Sequence, residues 1–321
     1  MSRLRVRLLR RFDVRHQQRT VLGLEAHKVR ELFAYLLLHR KQPHAREMLA
    51  SMMWPSSNAQ QARKHLRQTL WQLRRAFDAT DAVDRQALLS ADDHWLRIPP
   101  EADVWVDTRT LEDAHSLVRG VPGQGLDSQE ASVVQQALDL YRGDLLEGWY
   151  EEWCLLERER LRGLHLTLLG KQMSYYEARG DYEFGLDCGR RALQCDVAHE
   201  RTHRRMMRLR YAAGDRTGAL RQYQQCVAFL RDELEIDPSA QTVALYQRIC
   251  SDRPLAPRGS PPSREPDTGD GKPLTESDVL GQLEELRIAY LALQRQLQDT
   301  IDAFKVRVGE QEEGAPGARL P

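Results

Sequence analysis

Asn58–Asp78 reads NAQQARKHLRQTLWQLRRAFD and carries the two faces of one helix. Ala62, Leu66, Leu70, Leu73 and Phe77 recur at steps of three and four residues, which puts them on a single apolar stripe. The opposite side carries Lys64, Gln68, Trp71 and Arg75, flanked by Gln60, Arg63, Arg67 and Arg74. Such a face suits a helix lying in a DNA major groove: cations hold phosphates, and Arg, Lys and Gln also read base edges. A solvated basic face is the competing reading, because charged outer faces are the norm on amphipathic helices. The flanking segments decide between them.

Upstream, Val29, Leu32, Phe33, Leu36 and Leu37 form the apolar stripe of a first helix, and Pro43 breaks the chain after it. Arg46–Trp54 (REMLASMMW) predicts a short second helix. The following Trp54-Pro55-Ser56-Ser57-Asn58 is a turn whose polar side chains can cap the third. Downstream, Ala87–Ser90 and Trp95–Ile98 are short extended runs around Ala91-Asp92-Asp93-His94, a hairpin pattern. At the amino end Leu4, Val6 and Leu8 alternate with Arg3, Arg5 and Arg7, so a strand opens the region. A strand, three helices and a terminal hairpin make a winged helix-turn-helix over residues 1–99, with the third helix as reader and the hairpin as wing.

Charge agrees. The chain has 47 Lys and Arg against 47 Asp and Glu and is formally neutral. Residues 1–99 hold 19 of the basic and nine of the acidic residues, so the remainder is negative by the same margin of ten. Neutrality is the sum of a basic part, the footprint of a phosphate binder, and an acidic part free to meet proteins.

Several phrases taken together resemble the bacterial transcriptional activators of the antibiotic-regulatory (SARP) type. They are Lys28–His39 (KVRELFAYLLLH), Arg46–Pro55 (REMLASMMWP), Ala62–Ala76 (ARKHLRQTLWQLRRA) and Trp105-Val106-Asp107. Tyr141–Gly148 (YRGDLLEG), Trp153 with Glu157–Leu161 (ERERL), and Gln222–Thr242 with its DELEIDPSAQT continue them in order. The likeness covers roughly residues 3–250 and is far more specific than any single motif. It implies a winged helix joined to a bacterial transcriptional activator domain of tetratricopeptide-like helices. It also implies sequence-specific promoter binding, to repeated sites by more than one protomer, and recruitment of RNA polymerase. By the same resemblance the DNA-contacting residues are Arg63, Lys64, Arg67, Gln68, Trp71 and Arg75, with Arg97 on the wing. Trp71 departs from a purely polar reader. It either stacks on sugar or a thymine methyl, or covers the first helix.

Residues 129–250 read as helical throughout and they repeat. Gly180-Asp181 recurs as Gly214-Asp215, and Gly185-Leu186 aligns with Ala219-Leu220, an offset of 34 residues that matches the tetratricopeptide period. Each Gly-Asp pair ends one helix and opens the next, with Gly as left-handed C-cap and Asp accepting from free amides. Gly143-Asp144 sits out of register, as a divergent first unit would. So few repeats need support, and packing against the winged helix follows, with Trp105, Trp149 and Trp153 at the junction mainly as filling.

His199-Glu200-Arg201-Thr202-His203 matches the H-E-x-x-H zinc-protease signature. Met206 and Leu209 stand where the pattern would continue with Gly and His, so a solvated helix start is the better reading. No catalytic, metal-ligand or cofactor residue is assigned, and an enzyme is the weakest class. The five cysteines (Cys154, Cys188, Cys195, Cys226, Cys250) lack C-x-x-C spacing and suit reduced thiols in a cytoplasmic protein. Cys188 and Cys195, seven apart, are the pair nearest to a redox switch. Arginines interrupt every apolar run near the amino end, and no run approaches the ~18 residues that span a bilayer. A phosphate-binding G-x-x-x-x-G-K-[ST] loop and a receiver domain are also missing from the pattern.

The expected architecture is mainly α: a winged helix over 1–99, a tetratricopeptide-like activator domain over 100–250, and a Pro/Gly-rich linker over 251–272. An amphipathic helix over 273–308 and a polar tail over 309–321 complete it. Val279, Leu283, Leu286, Tyr290, Leu293, Leu297, Thr300 and Phe304 form a heptad seam in that helix, which suits a homodimer or a fold-back onto the helical stack. The leading reading is a promoter-binding activator that meets double-stranded DNA and RNA polymerase. Its rival is a protein-interaction adaptor whose winged helix has lost specificity.

Overall fold

The computed structural model describes residues 4–78 and 88–252. The expected helix over 273–308, its seam and the tail lie outside the described residues. Strand β1 (Leu4–Arg7) buries Leu4 and Val6 and exposes Arg5 and Arg7, as the alternation requires. It pairs antiparallel with β2 (Asp13–His16), which pairs with the two-residue β3 (Arg19–Thr20). Helix α1 (His27–Leu38) buries all five residues of its stripe.

A two-residue strand β4 (His44–Ala45) follows, then α2 (Arg46–Met53) and α3 (Ala59–Asp78). The hairpin is β5 (Ser90–Ala91) and β6 (Trp95–Arg97), and β6 is the middle strand of a small sheet ordered β4-β6-β5. The wing is thus fastened to the residues just before α2. Phe33 and Phe77 meet edge to face at 5.1 Å and join α1 to the end of α3.

Residue 99 marks no break. Strand β7 (Val104–Val106) joins the first sheet in parallel beside β1, giving the order β3-β2-β1-β7. Helix α4 (Asp107–Leu117) starts at the next residue. Asp107 is 2 % exposed and accepts from Leu8 N at 2.9 Å, Leu9 N at 3.0 Å and Thr108 N at 2.8 Å. One carboxylate therefore satisfies the amides where β1 ends and an amide in the first turn of α4, groups that would otherwise be buried unpaired. Burial pushes its pKa up against the pull of these amides, and burial prevails.

Helix α5 (Ser128–Leu140) opens with a capping box in which Asp127 accepts from Glu130 N at 2.7 Å and Glu130 accepts from Asp127 N at 3.0 Å. The chain is then non-helical from 141 to 151, so the region expected to be helical throughout, 129–250, holds a non-helical segment. Gly143-Asp144 is no helix cap. Its segment lies along the amino end of the chain: Arg10 N donates to Asp144 O at 2.7 Å, Leu146 N to Leu8 O at 2.9 Å and Glu147 N to Arg10 O at 2.9 Å. Arg158 fixes this strap by donating to the carbonyls of Leu145, Leu146 and Trp149, each at 2.9 Å. The YRGDLLEG and ERERL phrases are the two halves of that arrangement.

The stack comprises α6 (Glu152–Arg179), α7 (Tyr182–Cys195), α8 (Glu200–Ala212), α9 (Arg216–Leu234) and α10 (Ala240–Cys250), each packed on the next. Gly180 (φ +77°) and Gly214 (φ +82°) take the left-handed conformation that ends α6 and follows α8. Asp215 accepts from Gly218 N at 2.7 Å as expected of a cap, whereas Asp181 makes no side-chain cap bond.

One apolar core runs without interruption from Leu4 to Leu209 and contains both the winged-helix stripes and the first helices of the stack. Trp153 meets Tyr35 edge to face at 5.4 Å, and Trp149 stacks with Phe12 at 6.2 Å. Both tryptophans fill the junction, while half-buried Trp105 lies under the Arg5 guanidinium at 5.6 Å.

Candidate nucleic-acid interface

Helix α3 starts where Asn58 accepts from Gln61 N at 2.9 Å through its side chain and from Ala62 N at 2.9 Å through its carbonyl. Ala62, Leu66, Leu70, Leu73 and Phe77 are buried, joined by Thr69 and Ala76. Arg63, Lys64, Arg67, Gln68, Trp71 and Arg75 are all exposed on the other side, and Arg74 is half-buried. Trp71 is 57 % exposed, and the Arg75 guanidinium lies 5.3 Å from its ring centroid, so the indole does not cover the first helix. Arg63 also lies 3.4 Å from Glu47 of α2, an exposed pair that contributes little.

Arg97 stands on a separate element, the outward face of β6, while Leu96 between it and Trp95 is fully buried. Asp92 shapes the hairpin tip: it accepts from His94 N at 2.8 Å and Trp95 N at 2.7 Å. Those two amides hold its carboxyl below the usual range. Arg46, the first residue of α2, donates to Asp92 O at 2.8 Å through its side chain, and its backbone N–H bonds His94 O at 2.8 Å. Wing and second helix are consequently fixed to each other. Trp95, 47 % exposed beside Arg97, was not among the residues assigned from sequence. The period-two alternation of Trp95-Leu96-Arg97 was the available signal, since it places both outer residues on one face.

The H-E-x-x-H segment is not a solvated helix start. His203 is fully buried, donating from Nε2 to Val197 O at 2.8 Å and accepting at Nδ1 from Gln222 at 2.8 Å. Burial holds its pKa below the ordinary imidazole value. Glu200 accepts from Ser239 N at 2.9 Å, Ser239 Oγ at 2.6 Å and Thr242 Oγ1, so it closes the amino end of α10. His199 Nδ1 contacts Thr202 Oγ1 at 2.7 Å. These polar atoms hold three helices together, and no zinc-protease geometry results.

Cys154, Cys188 and Cys226 are buried, Cys195 is half-buried and Cys250 is exposed, all as free thiols. Burial pushes Cys154 up to about 11 and Cys188 and Cys226 up to about 12, which keeps them protonated and unreactive. No helix among the described residues is long and apolar enough to cross a membrane.

The bacterial transcriptional activator domain family matches residues 106–250. No curated protein matches the chain. Among solved structures, the chain is similar to Mycobacterium tuberculosis EmbR in complex with a low-affinity phosphopeptide, with TM-score 0.62 and 20 % identity over 80 % of this chain and 67 % of that one. At that identity the likeness speaks for the fold, a winged helix followed by a tetratricopeptide-like stack. Residues 106–250 therefore match a bacterial transcriptional activator domain, which agrees with the SARP-type resemblance of the sequence.

Proposed function

We propose that the protein binds promoter DNA in a sequence-specific way, with α3 in the major groove and the wing beside it, and activates transcription by recruiting RNA polymerase through its helical part. The observation that carries this reading is the division of α3: its whole apolar stripe is buried, and all six polar or aromatic residues assigned to DNA lie exposed on the other face. An adaptor would have no use for basic residues spread along one face of a rigidly docked helix. The reading assigns base contacts to Lys64, Arg67 and Gln68, toward the amino-terminal half of the helix, and phosphate contacts to Arg75 and Arg97. Trp71 is placed against sugar or a thymine methyl.

Gel-shift titrations on cognate and scrambled duplexes at two salt concentrations test it. Gln68→Ala should reduce the preference for the cognate site by about 1–3 kcal/mol, the worth of one base contact. Arg75→Ala should weaken all DNA alike and lower the salt slope by about one unit. An unchanged specificity ratio for Gln68→Ala would show that the base-reading assignment is wrong.

A further inference from the structure

Where α1 of the winged helix meets the start of α6, three metal-capable side chains converge. His27, Glu31 and Glu151 each bring a ligand atom within 4.8 Å of the other two. His27 and Glu31 are one helical turn apart and share a face of α1, while Glu151 immediately precedes α6. His27 Nε2 lies 2.6 Å from Glu151 Oε1 and 4.0 Å from Glu31 Oε2.

One buried oxygen points to what this cluster lacks. Glu31 is 1 % exposed; its Oε1 accepts from Trp153 Nε1 at 3.5 Å, and its buried Oε2 faces the Lys28 ammonium. Glu151 Oε2 is buried without a hydrogen bond. A desolvated, unbonded carboxylate oxygen beside an imidazole and a second carboxylate is costly unless a cation meets it. Lys28 Nζ, 2.7 Å from Glu31 Oε2, supplies one positive charge from outside, and its side chain is 38 % exposed and able to withdraw. The Trp149 ring, 4.6 Å from that of His27, walls the other side.

The geometry points to a divalent transition-metal site of the zinc class, held by His27 Nε2 and the carboxylates of Glu31 and Glu151. One nitrogen and two carboxylate oxygens suit zinc rather than magnesium or calcium, which prefer oxygen alone. Bonds of about 2.0–2.2 Å to a central ion need ligand atoms spaced between the 2.6 and 4.0 Å observed, so small side-chain rotations suffice. His27 is 44 % exposed, which leaves an entry path and an open coordination position. The ion would tie the DNA-binding helices to the activator domain. It is a different place from the H-E-x-x-H segment, whose polar atoms are engaged elsewhere.

Calorimetric titration of the chelator-treated full chain with zinc chloride, and separately with magnesium chloride, is the test. One zinc per chain is expected, with magnesium far weaker. His27→Ala and Glu151→Gln should each weaken zinc binding by about tenfold or more, since even outer partners of metal ligands are worth that much. Lys28→Met, which removes the competing ammonium, should tighten it, and His203→Ala should leave it unchanged. Absence of zinc binding would overturn the proposal. So would zinc binding indifferent to His27→Ala and Glu151→Gln, or abolished by His203→Ala. Circular dichroism of each variant separates lost ligation from lost folding.

Discussion

The joint between the winged helix and the stack and the joint that closes the last repeat both rest on a carboxylate that gathers backbone or hydroxyl donors. They differ in what surrounds that carboxylate. At the first, Asp107 sits inside an apolar core that extends from Leu4 to Leu209, with strand β7 and the 144–147 strap as further connections. At the second, Glu200 lies near a small separate cluster of Met207, Ala219, Leu245 and Ile249. Polar contacts do the rest there: Arg216 donates to Ile249 O at 2.9 Å and Cys250 O at 2.5 Å, and Tyr211 to Asp252 at 3.0 Å. Apolar area sets cooperativity, so the first joint opens only with global unfolding and the second can open locally.

Asp107→Ala should break the first joint and have the largest effect. It leaves three buried amides unpaired, at about 1–3 kcal/mol each, so a loss of at least ~3 kcal/mol is expected. For a chain of this size that lowers the melting temperature by about 6–12 °C. Calorimetry showing a loss below about 1 kcal/mol would contradict the account of Asp107 as a shared cap.

Acid probes both joints at once. His165, 2 % exposed and stacked on Tyr141 at 3.9 Å, is held by burial at a pKa of about 3, and burial also lowers His203 in the last repeat. A folded pKa below the unfolded value means that unfolding takes up a proton. Stability is therefore complete above about pH 6.5 and falls below it, by roughly 1.4 kcal/mol per pH unit for such a group. Melting temperatures measured from pH 7 to pH 5 should decline. His165→Leu should flatten that decline, and an unchanged slope would show that another group causes it.

Glu200→Gln should give the smallest global effect and the sharpest local one. Replacing the charged acceptor weakens its bonds to Ser239 and Thr242 by about 1 kcal/mol, so amide exchange in α10 should quicken several-fold while α1 and α3 keep their rates. Burial raises the Glu200 pKa, but the Ser239 and Thr242 bonds and Arg204 lower it further, so the net shift is downward. This contribution is present above about pH 4.5 and is lost as pH falls through the depressed value. Equal acceleration throughout the chain would mean that the two joints open together and that the contrast between them is false.

Much of the fold was legible because helices announce themselves locally. The stripes on α1 and α3 and the Gly-Asp pairs near 180 and 214 recur within a few residues and need no distant partner. Strands β3, β4 and β7 escaped, being two or three residues long, too short for a period of two to show. β7 also pairs with β1 across about a hundred residues, which no local pattern encodes. Gly143-Asp144 misled because a dipeptide typical of helix caps here belongs to a non-helical strap.

For the candidate interface, sequence by itself determined which residues of α3 face outward, because a 3.6-residue period with a buried stripe leaves the opposite side no other place. Whether Trp71 covered the first helix, and that Trp95 stands beside Arg97, was decided only by tertiary structure. So were the roles of Asp107, Arg158 and Glu200, and the meeting of His27 and Glu31 with Glu151. A charged side chain acts through whichever backbone amide or carboxylate the folded chain brings within about 3 Å. Local periodicity records the direction in which such a side chain leaves its helix or strand, and the packing of distant elements supplies its partner.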